Sequence, residues 1–123
     1  MNFIKNVPED ESIVLYFYTD WCGYCSQTKP NWDLAMKRTN SKIKWLSFDC
    51  SIRSNYPFVK TKYNIKAYPQ VIGLSPKNKM GKRKMLVMND EYTVTNLSLF
   101  ATTLDKSKHK RKENVKEKLN VLS

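Results

Sequence analysis

A chain of 123 residues with 22 Lys and Arg against 11 Asp and Glu is sized for one domain with one core, too short for two. No run reaches the ~18 apolar residues of a membrane-spanning helix, and three cysteines with a single close pair exclude a disulfide framework. The net charge of +11 is unevenly held: residues 1–50 balance six basic side chains against six acidic ones, so the later residues carry the whole excess.

Residues 1–10 lack an apolar h-region and turn acidic at Glu9 and Asp10, so no secretory signal is expected and the setting read from it is reducing and cytoplasmic. Residues 13–18 run Ile-Val-Leu-Tyr-Phe-Tyr without a break, which predicts a central parallel strand buried on both faces. Trp21, Cys22, Gly23, Tyr24 and Cys25 follow at once and lead into a helical pattern. A strand that ends in Cys-x-x-Cys and opens a helix sets Cys22 at the helix N-terminus, where unsatisfied N–H groups and the helix dipole favour a thiolate. Cys25 falls about one turn further along the same face, within reach of the first sulfur. Two thiols so placed can attack a partner's disulfide and resolve the mixed intermediate with no cofactor.

Trp32, Leu34, Ala35 and Met36, with Lys29, Lys37 and Arg38, carry the helix to about residue 38, where Thr39-Asn40-Ser41 ends it. Pro30 lies inside and predicts a kink. Residues 42–49 read as a second strand, and 54–63 as a weaker helix with Pro57 in its first turn. A short strand over 71–74 is entered from Tyr68-Pro69; a turn over 76–81 and a strand over 84–88 complete a hairpin. Thr95 is the predicted N-cap of a last helix bearing Leu97, Phe100, Ala101 and Leu104. Beyond Asp105 the composition becomes charged, and 106–123 reads as a basic C-terminal extension, helical or frayed.

Cys50 ends the second strand and reads as a buried spectator thiol. A closed zinc site needs four ligands, and only Cys50 and His109 remain beside Cys22 and Cys25, so no metal is expected. His109, set among Lys108, Lys110 and Arg111, reads as a solvated side chain. Two basic clusters, Lys77 to Lys84 and Lys106 to Lys118, fit either an acidic partner or a plain solvated surface. The extension has no aromatic residue and hence no base-stacking platform, so nucleic-acid recognition is not expected.

Three features together resemble the thioredoxin superfamily over residues 4–104: Trp21-Cys22-Gly23-Tyr24-Cys25 after a buried strand, Pro30 five residues past the second cysteine, and Tyr68-Pro69 opening a later strand. Phe48-Asp49-Cys50 and the stretch from Lys62 to Pro69 are similar to protein disulfide isomerase domains in particular. The resemblance implies a thioredoxin-like α/β fold for residues 1–105: a mixed sheet of about four strands, flanking helices and a shortened N-terminal element. It implies thiol–disulfide exchange on protein disulfides, with Cys22 as nucleophile, Cys25 as resolving thiol and an external thiol reductant or reductase as partner. It also implies a cis Pro69 beside the dithiol. Trp21, Gly23, Tyr24, Tyr68 and Pro69 would then form the substrate-binding surface, with Trp21 and Tyr24 as an apolar rim and the Tyr68 backbone pairing with an extended substrate.

Two departures bear on activity. The family's buried Asp or Glu, six residues before the first cysteine, is here Tyr16, and a phenol is a poor base near neutral pH; slow resolution by Cys25 is expected. The Gly23-Tyr24 dipeptide lacks the histidine that supports the isomerase thiolate. The ending Asn120-Val121-Leu122-Ser123 carries no retrieval tail, which again reads as cytoplasmic. The rival reading is a redox-weak binding or assembly module that uses the aromatic rim and the basic flank. Oligomeric state is left open.

Overall fold

The computed structural model describes residues 7–39, 42–52 and 62–104. The expectations for 54–61, for the extension 106–123 and for His109 lie outside these residues.

Strand β1 (Ser12–Tyr18) is buried along almost its whole length, as its unbroken apolar run requires. It is central in a four-stranded sheet of order β2-β1-β3-β4. Strand β2 (Ile43–Asp49) runs parallel to it, from Ser12 opposite Ile43 to Tyr18 opposite Asp49. Strand β3 (Gln70–Leu74) runs antiparallel on the other side, Ile13 opposite Leu74 and Phe17 opposite Gln70. β1 is therefore the central strand of a mixed sheet, as expected, parallel to β2 and antiparallel to β3, which enters the sheet from the far end. Strand β4 (Met85–Val87) closes the edge as the second half of an antiparallel hairpin.

Helix α1 (Gly23–Arg38) makes the crossover between the parallel pair and is assigned without a break through Pro30. Helix α2 covers residues 94–104. Side chains of β1 alternate between two layers. Val14 and Tyr16 meet Trp32 and Ala35 of α1 and Leu97, Ala101 and Leu104 of α2. Ile13, Leu15 and Phe17 meet Val7, Phe48, Tyr63 and Ile65 on the opposite face. α2 lies close enough to β3 that a Cβ on Gly73 would run into the Leu104 and Phe100 side chains.

The N-cap of α2 is Thr93, not Thr95: its Oγ1 accepts the Asn96 N–H at 3.1 Å, the bond that satisfies an otherwise orphaned donor of the first turn. In the β3–β4 connection, Asn78 Oδ1 accepts from the N–H groups of Met80 and Lys82 at 2.9 and 3.0 Å, and Gly81 takes φ +74°, the left-handed region that suits glycine. Arg83 faces inward here. Its guanidinium donates to the carbonyls of Glu11, Ser75 and Pro8, tying the residues before β1 to the hairpin.

Candidate active site

Cys22 ends the turn that leaves β1 and caps α1. Its backbone is extended, φ −86° and ψ 108°, and its Sγ accepts the Cys25 N–H at 3.1 Å. A sulfur in that place is held against the positive end of the helix dipole, and the first turn contains no acidic residue to oppose it. Cys22 and Cys25 are joined as a disulfide with Cα atoms 5.2 Å apart. Cys22 is half-buried and Cys25 is buried, so an incoming thiol meets Cys22 first.

Trp21 and Tyr24 flank the pair with 71% and 51% of their surfaces exposed. Two aromatic rings left in water at a reactive sulfur form an apolar rim. A Cβ at Gly23 would meet nothing within 4 Å, so packing does not demand glycine there. The sheet register sets Pro69 at the same end: Gln70 lies opposite Phe17, which places Pro69 alongside Tyr18, four residues before Cys22. The Tyr68–Pro69 bond is cis.

Below the disulfide lies Tyr16, 1% exposed and stacked between Tyr18 and Trp32 at ring-centre distances of 5.6 and 5.0 Å. Its hydroxyl donates to the Cys25 carbonyl at 3.1 Å and lies 2.6 Å from Thr28 Oγ1, which reaches the same carbonyl at 3.1 Å. Burial pushes the Tyr16 phenol above its ordinary value, with the Thr28 hydrogen bond opposing. At neutral pH the group is a hydrogen-bond donor that anchors the first turn of α1 to β1; it is no base.

The model of the Thioredoxin family matches residues 1–97. The chain belongs to the thioredoxin family. It is 30% identical over 71 residues to bloodstream-specific protein 2 of Trypanosoma brucei brucei, covering 58% of this chain and 14% of that protein. It is 30% identical over 74 residues to mouse protein disulfide-isomerase A6, covering 56% of this chain and 16% of that one. The chain thus spans about one-sixth or less of the curated relatives it matches. Among solved structures it superposes on the Trx4 domain of ERdj5 with a TM-score of 0.67 at 24% identity, covering 80% of this chain and 83% of that domain; that likeness concerns the fold.

Against this thioredoxin-family frame, the residues named from sequence fall into two groups. Cys22, Cys25, Trp21, Gly23 and Tyr24 share one turn, and the register brings Pro69 to the same end of the sheet. Tyr68 turns its side chain elsewhere: it packs with the second core layer and hydrogen-bonds Cys50. Cys50 is buried, and burial pushes its thiol above the ordinary value, which keeps it protonated and slow to react. Among the described residues no group of three or more His, Cys, Asp or Glu is placed to hold a metal ion, and no helix is long and apolar enough to cross a membrane.

Sequence reasoning missed Tyr92. Its hydroxyl accepts the Val71 N–H at 3.1 Å and donates to the Pro69 carbonyl at 3.5 Å. Its own carbonyl accepts from Asn31 Nδ2 of α1 at 3.0 Å. One residue thereby links the helix that carries the dithiol to the turn that carries the proline. The available signal was a lone aromatic in the polar stretch between β4 and α2.

Proposed function

We propose that this chain is a thiol–disulfide oxidoreductase that acts on protein disulfides through Cys22 and Cys25. The observation that carries the reading is the Cys22 sulfur at the cap of α1, accepting the Cys25 N–H at 3.1 Å. That environment stabilises a negative sulfur, and a thiolate is the attacking species in exchange.

In the reducing direction the Cys22 thiolate attacks one sulfur of a substrate disulfide. A Cys22–substrate bond forms, the substrate S–S bond breaks, and one substrate thiolate leaves and takes up a proton. Cys25 then loses its proton and attacks Cys22 Sγ. The Cys22–Cys25 bond forms and the second substrate thiol leaves, so the substrate gains the two electrons that the dithiol loses. Oxidation of a substrate dithiol runs the same steps in reverse. An external thiol couple restores the starting state in either direction. Trp21 and Tyr24 supply an apolar contact for extended or unfolded chains, and the backbone at Tyr68 and Pro69 supplies strand-like pairing.

Insulin reduction driven by dithiothreitol tests this directly. The wild-type chain accelerates precipitation of the insulin B chain, and Cys22→Ala falls to the uncatalysed rate. Equal turnover in wild type and Cys22→Ala would leave the chain as a binding module whose rim and basic flank make the contact.

A further inference from the structure

At the start of β3, Gln70 pairs with Phe17 of β1, while the side toward β4 is completed by a side chain. There the Val71 carbonyl accepts the Met88 N–H at 3.0 Å, and the Val71 N–H donates to the Tyr92 hydroxyl at 3.1 Å. The register of Ile72 opposite Val87 carries on to Val71 opposite Met88, and a facing antiparallel pair of this kind exchanges both bonds. The Tyr92 phenol therefore takes half of a rung just past the end of β4 at Val87. Val71 is fully buried, so its N–H needs a partner inside the protein. The same hydroxyl reaches the Pro69 carbonyl by a longer contact of 3.5 Å. Tyr92 is anchored in turn: its ring packs against the core layer of Val14, Tyr16, Trp32 and Val71, and its carbonyl accepts from Asn31 Nδ2 at 3.0 Å. Asn31 lies on α1, six residues past Cys25.

Resting on the oxidoreductase reading, we infer that Tyr92 is a positioning residue for polypeptide substrates: through Val71 and Asn31 it fixes the span between the Pro69 backbone and the helix that carries the dithiol. The bonds of Tyr92 go to the Val71, Pro69 and Asn31 groups and not to a sulfur, so its effect falls on how a chain is held and not on the exchange itself. Burial pushes the phenol above its ordinary value, so at neutral pH the hydroxyl keeps the proton it needs to accept from Val71 and donate toward Pro69 together. Strand-like pairing at Pro69 uses the main-chain N–H and C=O groups of the substrate. A polypeptide disulfide has such groups beside its sulfurs, and bis(2-hydroxyethyl) disulfide has none. The pair of substrates therefore separates positioning of a chain from reactivity of Cys22.

The test mixes the reduced protein with insulin or with bis(2-hydroxyethyl) disulfide, quenches with acid, alkylates, and reads oxidation of Cys22 and Cys25 by mass spectrometry. Tyr92→Phe removes the hydroxyl and keeps the ring. It lowers the second-order rate constant with insulin roughly threefold to tenfold, the effect of one lost hydrogen bond, and leaves that with the small disulfide within about twofold of wild type. Asn31→Ala cuts the other tie with the phenol in place and shifts selectivity in the same direction. The two changes combined give less than the product of their separate effects, because both act through Tyr92. Leu74→Val loosens the core at the far end of β3 and keeps the wild-type selectivity between the two substrates. Equal slowing on both substrates in Tyr92→Phe would overturn the inference, as would wild-type selectivity in that variant or the same selective loss in Leu74→Val. If neither substrate oxidises the wild-type dithiol, the oxidoreductase reading falls and the positioning role falls with it. If both do and Tyr92→Phe matches wild type, the positioning role falls alone.

Discussion

Tyr16 anchors the Cys25 carbonyl with a phenol at the position where the family resemblance implies a carboxylate, and the exchange moves the local response to pH from near neutrality into alkali. A buried carboxylate resists ionising near neutrality, whereas a buried phenol resists ionising in alkali. Burial raises Tyr16, Tyr63 and Tyr92 above their ordinary values. Each therefore ionises first in the unfolded chain, so the stability it contributes is complete below about pH 10 and is lost as the pH rises through the folded-state values. A spectrophotometric titration of the seven tyrosines is expected to show a late phenolate component that coincides with loss of near-UV circular dichroism. A single transition near pH 10 with the fold intact would contradict it. The Tyr16 substitution could be read from sequence because it sits at a fixed offset from Cys22. Its partner Thr28, twelve residues away, and the Tyr92 bond to Val71, spanning 21 residues, could not, since helix and loop bring those groups together only after folding.

Elements were legible where local pattern and tertiary burial agree. The apolar run of β1, the Cys-x-x-Cys opening of α1 and the hairpin across the Asn78 turn each carry their own local signal. That the sheet is mixed was legible only through the family resemblance, since the stretch from Gln70 to Leu74 contains no word on direction. The misreading falls at a helix terminus. The sequence pattern sets the cap of α2 at Thr95, whereas it is Thr93, two residues earlier, whose hydroxyl takes the orphaned Asn96 N–H. Thr93→Ala is expected to cost about 1 kcal/mol by thermal unfolding, and Thr95→Ala, exposed in the first turn, to stay within ~0.5 kcal/mol. A larger loss at Thr95 than at Thr93 would return the cap to Thr95.

At the scale of the whole molecule the sheet has two working ends. β1 delivers its C-terminal end to Trp21 and Cys22, and β3 begins at that end with Pro69 behind it. The hairpin tip with Lys77, Lys79, Lys82 and Lys84 lies at the other end, where Leu74 faces Ile13. The hairpin's lysines and the dithiol therefore stand at opposite ends of the sheet. One member of that basic cluster is structural: Arg83 ties down three carbonyls, whereas Lys77 meets Glu9 at 3.5 Å on the surface. Composition alone counted Arg83 with the rest, because net charge says nothing of which cations face inward. What organises the reactive end is the placement of one sulfur at a helix cap. The most direct test is the rate at which iodoacetamide alkylates Cys22 in the reduced protein as a function of pH. The half-maximal rate is predicted well below the ~8.5 of free cysteine, within the range of helix N-terminal thiols; a midpoint at the free-cysteine value would contradict the account.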